Sequence, residues 1–169
     1  MRKAIVLGIL TLTLVAGIAQ AELQIETFTQ TPNLVIPDAG SPVQSVMSVD
    51  LPHYISSIRV YMAIQIQDWS SDLRIWVKSP YDTQLELFRI GEGGEPGTNP
   101  AGWYPTDFTP HDDMSQWEGE GADGNWTIIC QDLSSGTQGT LTEWRVEIGY
   151  DDAVGVEAKT LSGIKSLFE

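Results

Sequence analysis

Residues 124 to 148 read Gly124-Asn-Trp-Thr-Ile-Ile-Cys-Gln-Asp132-Leu-Ser-Ser-Gly136-Thr-Gln-Gly139-Thr-Leu-Thr-Glu-Trp144-Arg-Val-Glu-Ile148, and this stretch decides the fold. Apolar side chains recur mostly at every second position, in Trp126, Ile128 and Cys130 and then in Leu141, Trp144, Val146 and Ile148. That is the period of strands with one buried face. Between the runs, Asp132 and the serines offer side-chain hydrogen bonds to nearby backbone, and Gly136 and Gly139 tolerate positive φ. The two strands are therefore expected to pair as a hairpin. The same face assignment makes Cys130, the one cysteine of the chain, a small buried hydrophobe and leaves no internal disulfide.

Working outward, Ile58, Val60, Met62, Ile64 and Ile66 alternate cleanly, and Val43 to Asp50 alternates as well. Leu73, Ile75 and Val77 face one way while Arg74, Trp76 and Lys78 face the other, and Leu85 and Leu87 supply a short strand. Leu23, Ile25 and Phe28 suggest an opening edge strand, after which Thr31-Pro-Asn33 and the stretch Pro37 to Pro42 break the chain. About seven short strands with frequent turn signals predict an all-β, antiparallel two-layer sandwich. Residues 89 to 124 differ: Gly, Pro and acidic residues surround Trp103, Tyr104, Phe108 and Trp117. A loop of that length is expected to be pinned by its rings.

The first 21 residues read as a signal peptide. Arg2 and Lys3 precede an apolar run, and Ala19-Gln-Ala21 fits the small-x-small cleavage rule. A membrane span is the rival, against which stand the shortness of the run and its interruption by Gly8, Thr11, Thr13 and Gly17. The expected product is secreted or periplasmic, with a domain over 22–150 and a tail over 151–169. In that tail Leu161, Ile164, Leu167 and Phe168 fit either a short helix or a frayed end. Without Arg2 and Lys3 the chain has 9 − 2 = 7 basic residues against 23 acidic ones, a net charge of −16. This charge argues against nucleic-acid partners and anionic membrane surfaces.

Gly124, Trp126-Thr127, Asp132, Gly139, Leu141 and Trp144 together resemble the end of the P/Homo B domain. This is the proprotein convertase P-domain that follows the catalytic domain in kexin- and furin-like subtilisin proteases. Asp72-Leu73 and the Ser79-Pro80 turn resemble the family's middle, and Val35 to Asp38 its opening segment. Gln67 stands where the family often has His, and Asp82 where it often has Gly. Asp is among the residues that tolerate the left-handed conformation, so the turn is expected to survive. The resemblance covers roughly residues 24 to 150. It implies a jelly-roll, galactose-binding-like sandwich that packs on a serine endopeptidase domain and supports its folding. Proteolysis would then describe the usual neighbour of such a domain.

The residues themselves carry little catalytic chemistry. His53 and His111 lie far in sequence from any nucleophile turn, and two histidines with one cysteine lack zinc-ligand spacing. The pairs Glu118/Glu120 and Asp112/Asp113 sit side by side in loops, whereas glycoside hydrolysis needs acids on opposite sides of a bond. Calcium is the candidate cofactor, with Asp68, Asp72, Asp112, Asp113 and Asp132 as oxygen donors on loops; the alternative is that Asp72 and Asp132 cap turns. Trp69, Trp76 and Trp103 are candidates for stacking on a sugar. The expected function is a non-catalytic binding module with a subtilisin-like protease domain as partner in trans. The alternative is a carbohydrate- or cell-surface-binding module, and an unrecognised hydrolase is the remoter rival.

Overall fold

Alternation along the strands becomes burial. In β4 (Ser57–Ile66), Ile58, Val60, Met62, Ile64 and Ile66 are buried, and Arg59, Tyr61 and Ala63 face outward. The computed structural model describes residues 23–66, 72–89, 99–136 and 138–151. The signal segment, Gln67, Asp68, Trp69 and the tail after Asp151 lie outside the described residues. The remaining strands are β1 (Leu23–Gln30), β2 (Leu34–Ile36), β3 (Val43–Val49), β5 (Leu73–Lys78), β6 (Gln84–Phe88), β7 (Ala101–Tyr104), β8 (Gly124–Asp132) and β9 (Gly139–Asp151). A five-stranded sheet runs β1-β9-β4-β7 with β2 also on β9, and a four-stranded sheet runs β3-β8-β5-β6. All pairs are antiparallel. From β3 onward the chain passes repeatedly from one layer to the other, giving the expected jelly-roll type of sandwich.

The expected hairpin is not formed. β8 pairs with β3 and β5, and β9 with β1, β2 and β4, so the chain passes from one layer to the other between Asp132 and Gly139 in an arch. Alternation specifies which face is buried and says nothing about the partner strand. Because β8 and β9 lie in opposite walls, Trp126 and Trp144 both point into the space between the layers, each with no exposed surface. Trp144 Nε1 donates to Ser45 Oγ of β3 at 3.1 Å, across the core. The arch is held by three backbone donors: Leu133 to the Asp72 carbonyl (3.1 Å), Ser134 to Asp132 Oδ1 (3.0 Å) and Gly136 to Asp38 Oδ1 (2.9 Å). Gly136 takes positive φ, at 155°, as expected. Gly139 does not: it is a strand residue of β9, and its Cβ position meets Ile36 at an ordinary 3.5 Å.

Two further segments depart from the sequence reading. The 89–124 stretch contains β7, paired with β4, and a 3-10 turn at Met114–Trp117. Four residues are too few to display a period of two. Tyr104 and Trp117 are buried as expected of a ring-pinned loop, with Trp117 edge-on to Trp126 at 5.5 Å and its Nε1 donating to the Thr83 carbonyl at 3.1 Å. In β1, Leu23 and Ile25 are 49% and 62% exposed, and Phe28 alone of the three packs on the core. Ile25 aligns with Gly149, and Gly149 with Ser57, in a row on the outward face.

The Ser79-Pro80 turn is a joint between loops. Asp82 N donates to the Ser79 carbonyl, and Asp82 adopts φ 67°, the left-handed conformation expected of it. Ser79 Oγ (2.6 Å) and Thr83 Oγ1 both donate to the Glu120 carboxylate. Pro80 lies against Gly124, whose φ is 124° and whose Cβ position would fall 2.9 Å from Pro80 Cβ. Gly124 therefore answers two demands at once, an unusual backbone angle and close approach.

Candidate functional site

The outward face of the five-stranded sheet carries an interlocked set of side chains from three strands. Register puts Trp103 of β7 opposite Tyr61 of β4, and Tyr61 opposite Arg145 of β9; one row along, Arg59 faces Glu147. The Arg59 guanidinium lies 4.9 Å from the Trp103 ring centroid and pairs with Glu147 at 2.7 Å. Arg145 lies 4.8 Å from the Tyr61 centroid and pairs with Glu143 at 2.7 Å, while Tyr61 and Trp103 tilt together at 5.4 Å. The hydrogen bond that Arg145 Nε donates to Glu143, first, and the nearby negative charge hold the Arg145 guanidinium above its ordinary range despite desolvation. Arg59 and Arg145 remain 42% and 37% exposed. Arg, Tyr and Trp are the residue types that carry most binding energy at protein interfaces, and mutual stacking fixes their rotamers before any partner arrives.

The opposite sheet carries a smaller cluster around Glu86. This carboxylate, only 4% exposed, accepts from Arg74 Nε at 2.5 Å and from Arg89 at 2.6 Å. Burial pushes its pKa up, but the hydrogen bonds and charges of the two arginines more than offset this and bring it to about 2. The Arg74 guanidinium covers Trp76 at 4.6 Å. Trp76 thus faces outward, opposite Leu73, Ile75 and Val77, but under a cation from its own strand rather than bare.

The calcium candidates separate into different loops. Asp112 Oδ2 accepts from Glu86 N (2.7 Å) and Asp113 Oδ1 from Ser115 N (2.9 Å), the latter capping the 3-10 turn. The backbone bond from Ser115 holds the Asp113 carboxyl below its ordinary range. Asp72 and Asp132 lie near enough at the arch to interact electrostatically, as does Asp38, which was not among the calcium candidates. Burial first, then the charges of Asp38 and Asp72, raise the Asp132 carboxyl against the lowering effect of its Ser134 bond. Among the described residues no three His, Cys, Asp or Glu side chains are grouped so as to hold a metal ion. Asp68 and Trp69 lie outside those residues. A cleft of about 520 Å³ between Phe88, Tyr104, Phe108 and His111 was equally invisible to sequence reasoning. Its lining spans the end of β6, the end of β7 and the loop after β7.

The residues that resemble the P/Homo B pattern serve the fold. Leu73, Trp126 and Trp144 are core, Asp132 is a turn acceptor, Gly139 lies beside Ile36, and Ser79, Pro80 and Gly124 form the joint described above. The result is an antiparallel two-layer β-sandwich with this joint and an open polar-aromatic sheet face. The chain belongs to the proprotein convertase P-domain family, an accessory domain of proteases, whose model matches residues 55–148. No curated protein matches the chain. Among solved structures it is similar to the serine protease of Aeromonas sobria in complex with its chaperone ORF2, with 20% identity and a TM-score of 0.59. It covers 78% of this chain and 28% of that one. The same protease solved alone gives 17% identity, a TM-score of 0.56 and coverage of 80% and 28%. FLHE gives 12% identity and a TM-score of 0.50, over 77% of this chain and 98% of its own. These likenesses show the fold, and the chain spans under a third of the protease's length.

Proposed function

We propose that this protein is a secreted or periplasmic P-domain module that acts by binding, and that its partner is a subtilisin-like protease domain encountered in trans. The observation that carries the reading is the Arg59, Tyr61, Trp103 and Arg145 platform, an open sheet face built from hot-spot residue types in fixed rotamers. Family membership supplies the partner class. A non-catalytic role is supported by the state of the chain's single thiol. Cys130 is wholly buried and desolvation pushes its thiol up to about 12, far from the thiolate that nucleophilic chemistry requires. His53 is stacked on Tyr150 at 4.3 Å.

The test is pull-down of subtilisin-like proteases from the secretome of the source organism, followed by titration of the purified pair. Trp103→Ala and Arg59→Ala are expected to weaken the complex by tenfold or more each, as hot-spot truncations do. Retention on polysaccharide with no protease partner would favour the carbohydrate-binding alternative and overturn this one. Turnover of peptide or glycoside substrates by the purified chain would overturn the non-catalytic role.

A further inference from the structure

At the end of the sandwich where residues 50–57, 79–83 and 117–124 meet, two tyrosines stand in solvent. Tyr54 is 65% and Tyr81 64% exposed, the two most exposed of the large apolar or aromatic side chains among the described residues. Both adjoin Gly121. Tyr54 and Gly121 form an antiparallel bridge, and directly opposed residues in such a pair send their Cβ atoms to the same side about 4.5–5.5 Å apart. The Tyr81 hydroxyl lies 2.8 Å from the position a Gly121 Cβ would take, so Gly121 adjoins Tyr54 through its bridge and also the ring end of Tyr81. The missing Cβ of Gly121 makes room for it.

The floor beneath these rings is firm. Ile55 N donates to the Glu120 carbonyl (2.9 Å), Gly119 N to the Ile55 carbonyl (2.8 Å) and Ala122 N to the His53 carbonyl (2.9 Å). Glu120 in turn holds Ser79 and Thr83. The charge around the pair is one-sided. Asp50, Glu118 and Asp123 are all exposed on the same segments. Asp82, whose side chain is 84% exposed, pairs with Lys78 at 2.9 Å.

We propose that this Tyr54–Tyr81 end is a second interaction surface, which takes a lysine- or arginine-bearing extended segment of a partner protein. Two ring faces and surplus carboxylates are what an ammonium or guanidinium group requires. The fold already uses the same chemistry where Arg145 lies over Tyr61. A neutral sugar would use the rings but leave the excess negative charge without a role. The surface is distinct from the β4–β7–β9 platform, so the two readings stand or fall separately.

The experiment uses the full mature chain and a fluorescein-labelled tetralysine peptide in a glycine–serine frame, with its norleucine counterpart and maltohexaose as comparators. The expected results are binding of the lysine peptide alone, weakening as salt rises from about 50 to 500 mM, and shifts of the Tyr54 and Tyr81 resonances in the unmodified protein. A Tyr54→Ala/Tyr81→Ala double variant should bind about tenfold more weakly, and Asp123→Asn should lose part of the salt dependence. Equal binding by the double variant, binding of maltohexaose or the norleucine peptide instead, unmoved tyrosine resonances, or no binding of the lysine peptide would each overturn the proposal.

Discussion

Replacing Glu86 by Gln removes the negative charge between Arg74 and Arg89 while keeping the shape of the side chain. The carboxyl moves from an ordinary value of 4.5 to about 2 in the folded chain. At 1.36 kcal/mol per tenfold, that difference corresponds to about 3 kcal/mol of stability. The two arginines are 37% and 42% exposed, so water screens them and, once unpaired, they can turn outward. The expected loss at pH 7 is therefore about 1–2 kcal/mol. The sign follows from the direction of the change. A depressed carboxyl contributes stability that is fully present above the unfolded value and fades as pH falls from about 4.5 towards 2. Urea unfolding at a series of pH values, followed by the fluorescence of buried Trp117, Trp126 and Trp144, reads both quantities. The unmodified and Glu86→Gln proteins should differ at pH 7 and converge near pH 2. A gap that stays constant across that window would refute the electrostatic account and leave packing as the cause.

Gly124→Ala should destabilise by about 2–4 kcal/mol, from the φ of 124° and the contact with Pro80 Cβ, lowering Tm by about 10 °C; Pro80→Gly in the same chain, which removes that Cβ, should recover the contact part. Asp82→Gly should stabilise by about 0.5–1 kcal/mol, because relief of the left-handed angle outweighs loss of the exposed Lys78 pair, and a thermal melt would show it. Cys130, buried with its thiol near 12, should react with a thiol reagent only as fast as the chain unfolds, so labelling kinetics should track denaturant concentration. Leu23 and Ile25, exposed on β1, should each tolerate Thr with a change within about 0.5 kcal/mol in urea unfolding.

Much of the architecture was legible because a period of two is visible in one strand at a time. β3, β4, β5, β8 and β9 are where alternation places them, with the predicted side chains inward. What the period cannot carry is partnership. The β8–β9 segment looks like a hairpin because hairpins and arches share the same turn residues, and only the layers decide between them. For the same reason the Arg59–Trp103–Tyr61–Arg145 platform was hidden. Its members lie on three strands up to 86 positions apart (145 − 59), and their contact is a consequence of register. Of the predicted sugar-stacking residues that are described, Trp103 belongs to it and Trp76 does not.

The recognisable residues and the accessible ones divide the molecule between them. Ser79, Pro80 and Gly124 lock one turn against another, while Trp126 and Trp144 fill the gap between walls. Replacing any of them would alter the body that every surface depends on. The outward rows of β4, β7 and β9 obey a weaker constraint, since Arg59, Tyr61, Trp103 and Arg145 rest on a sheet whose core lies beneath Val60, Met62 and Trp144. Truncating them removes cation–π contacts and exposed ion pairs, which contribute little to folding when half-exposed. Binding and stability should therefore separate in this chain: Trp103→Ala should cost affinity with a melting temperature near that of the parent, and Trp144→Ala should cost the fold, by about 3–5 kcal/mol. If the two variants lost binding and stability in proportion, the platform would be a structural stack and the docking surface would have to lie elsewhere.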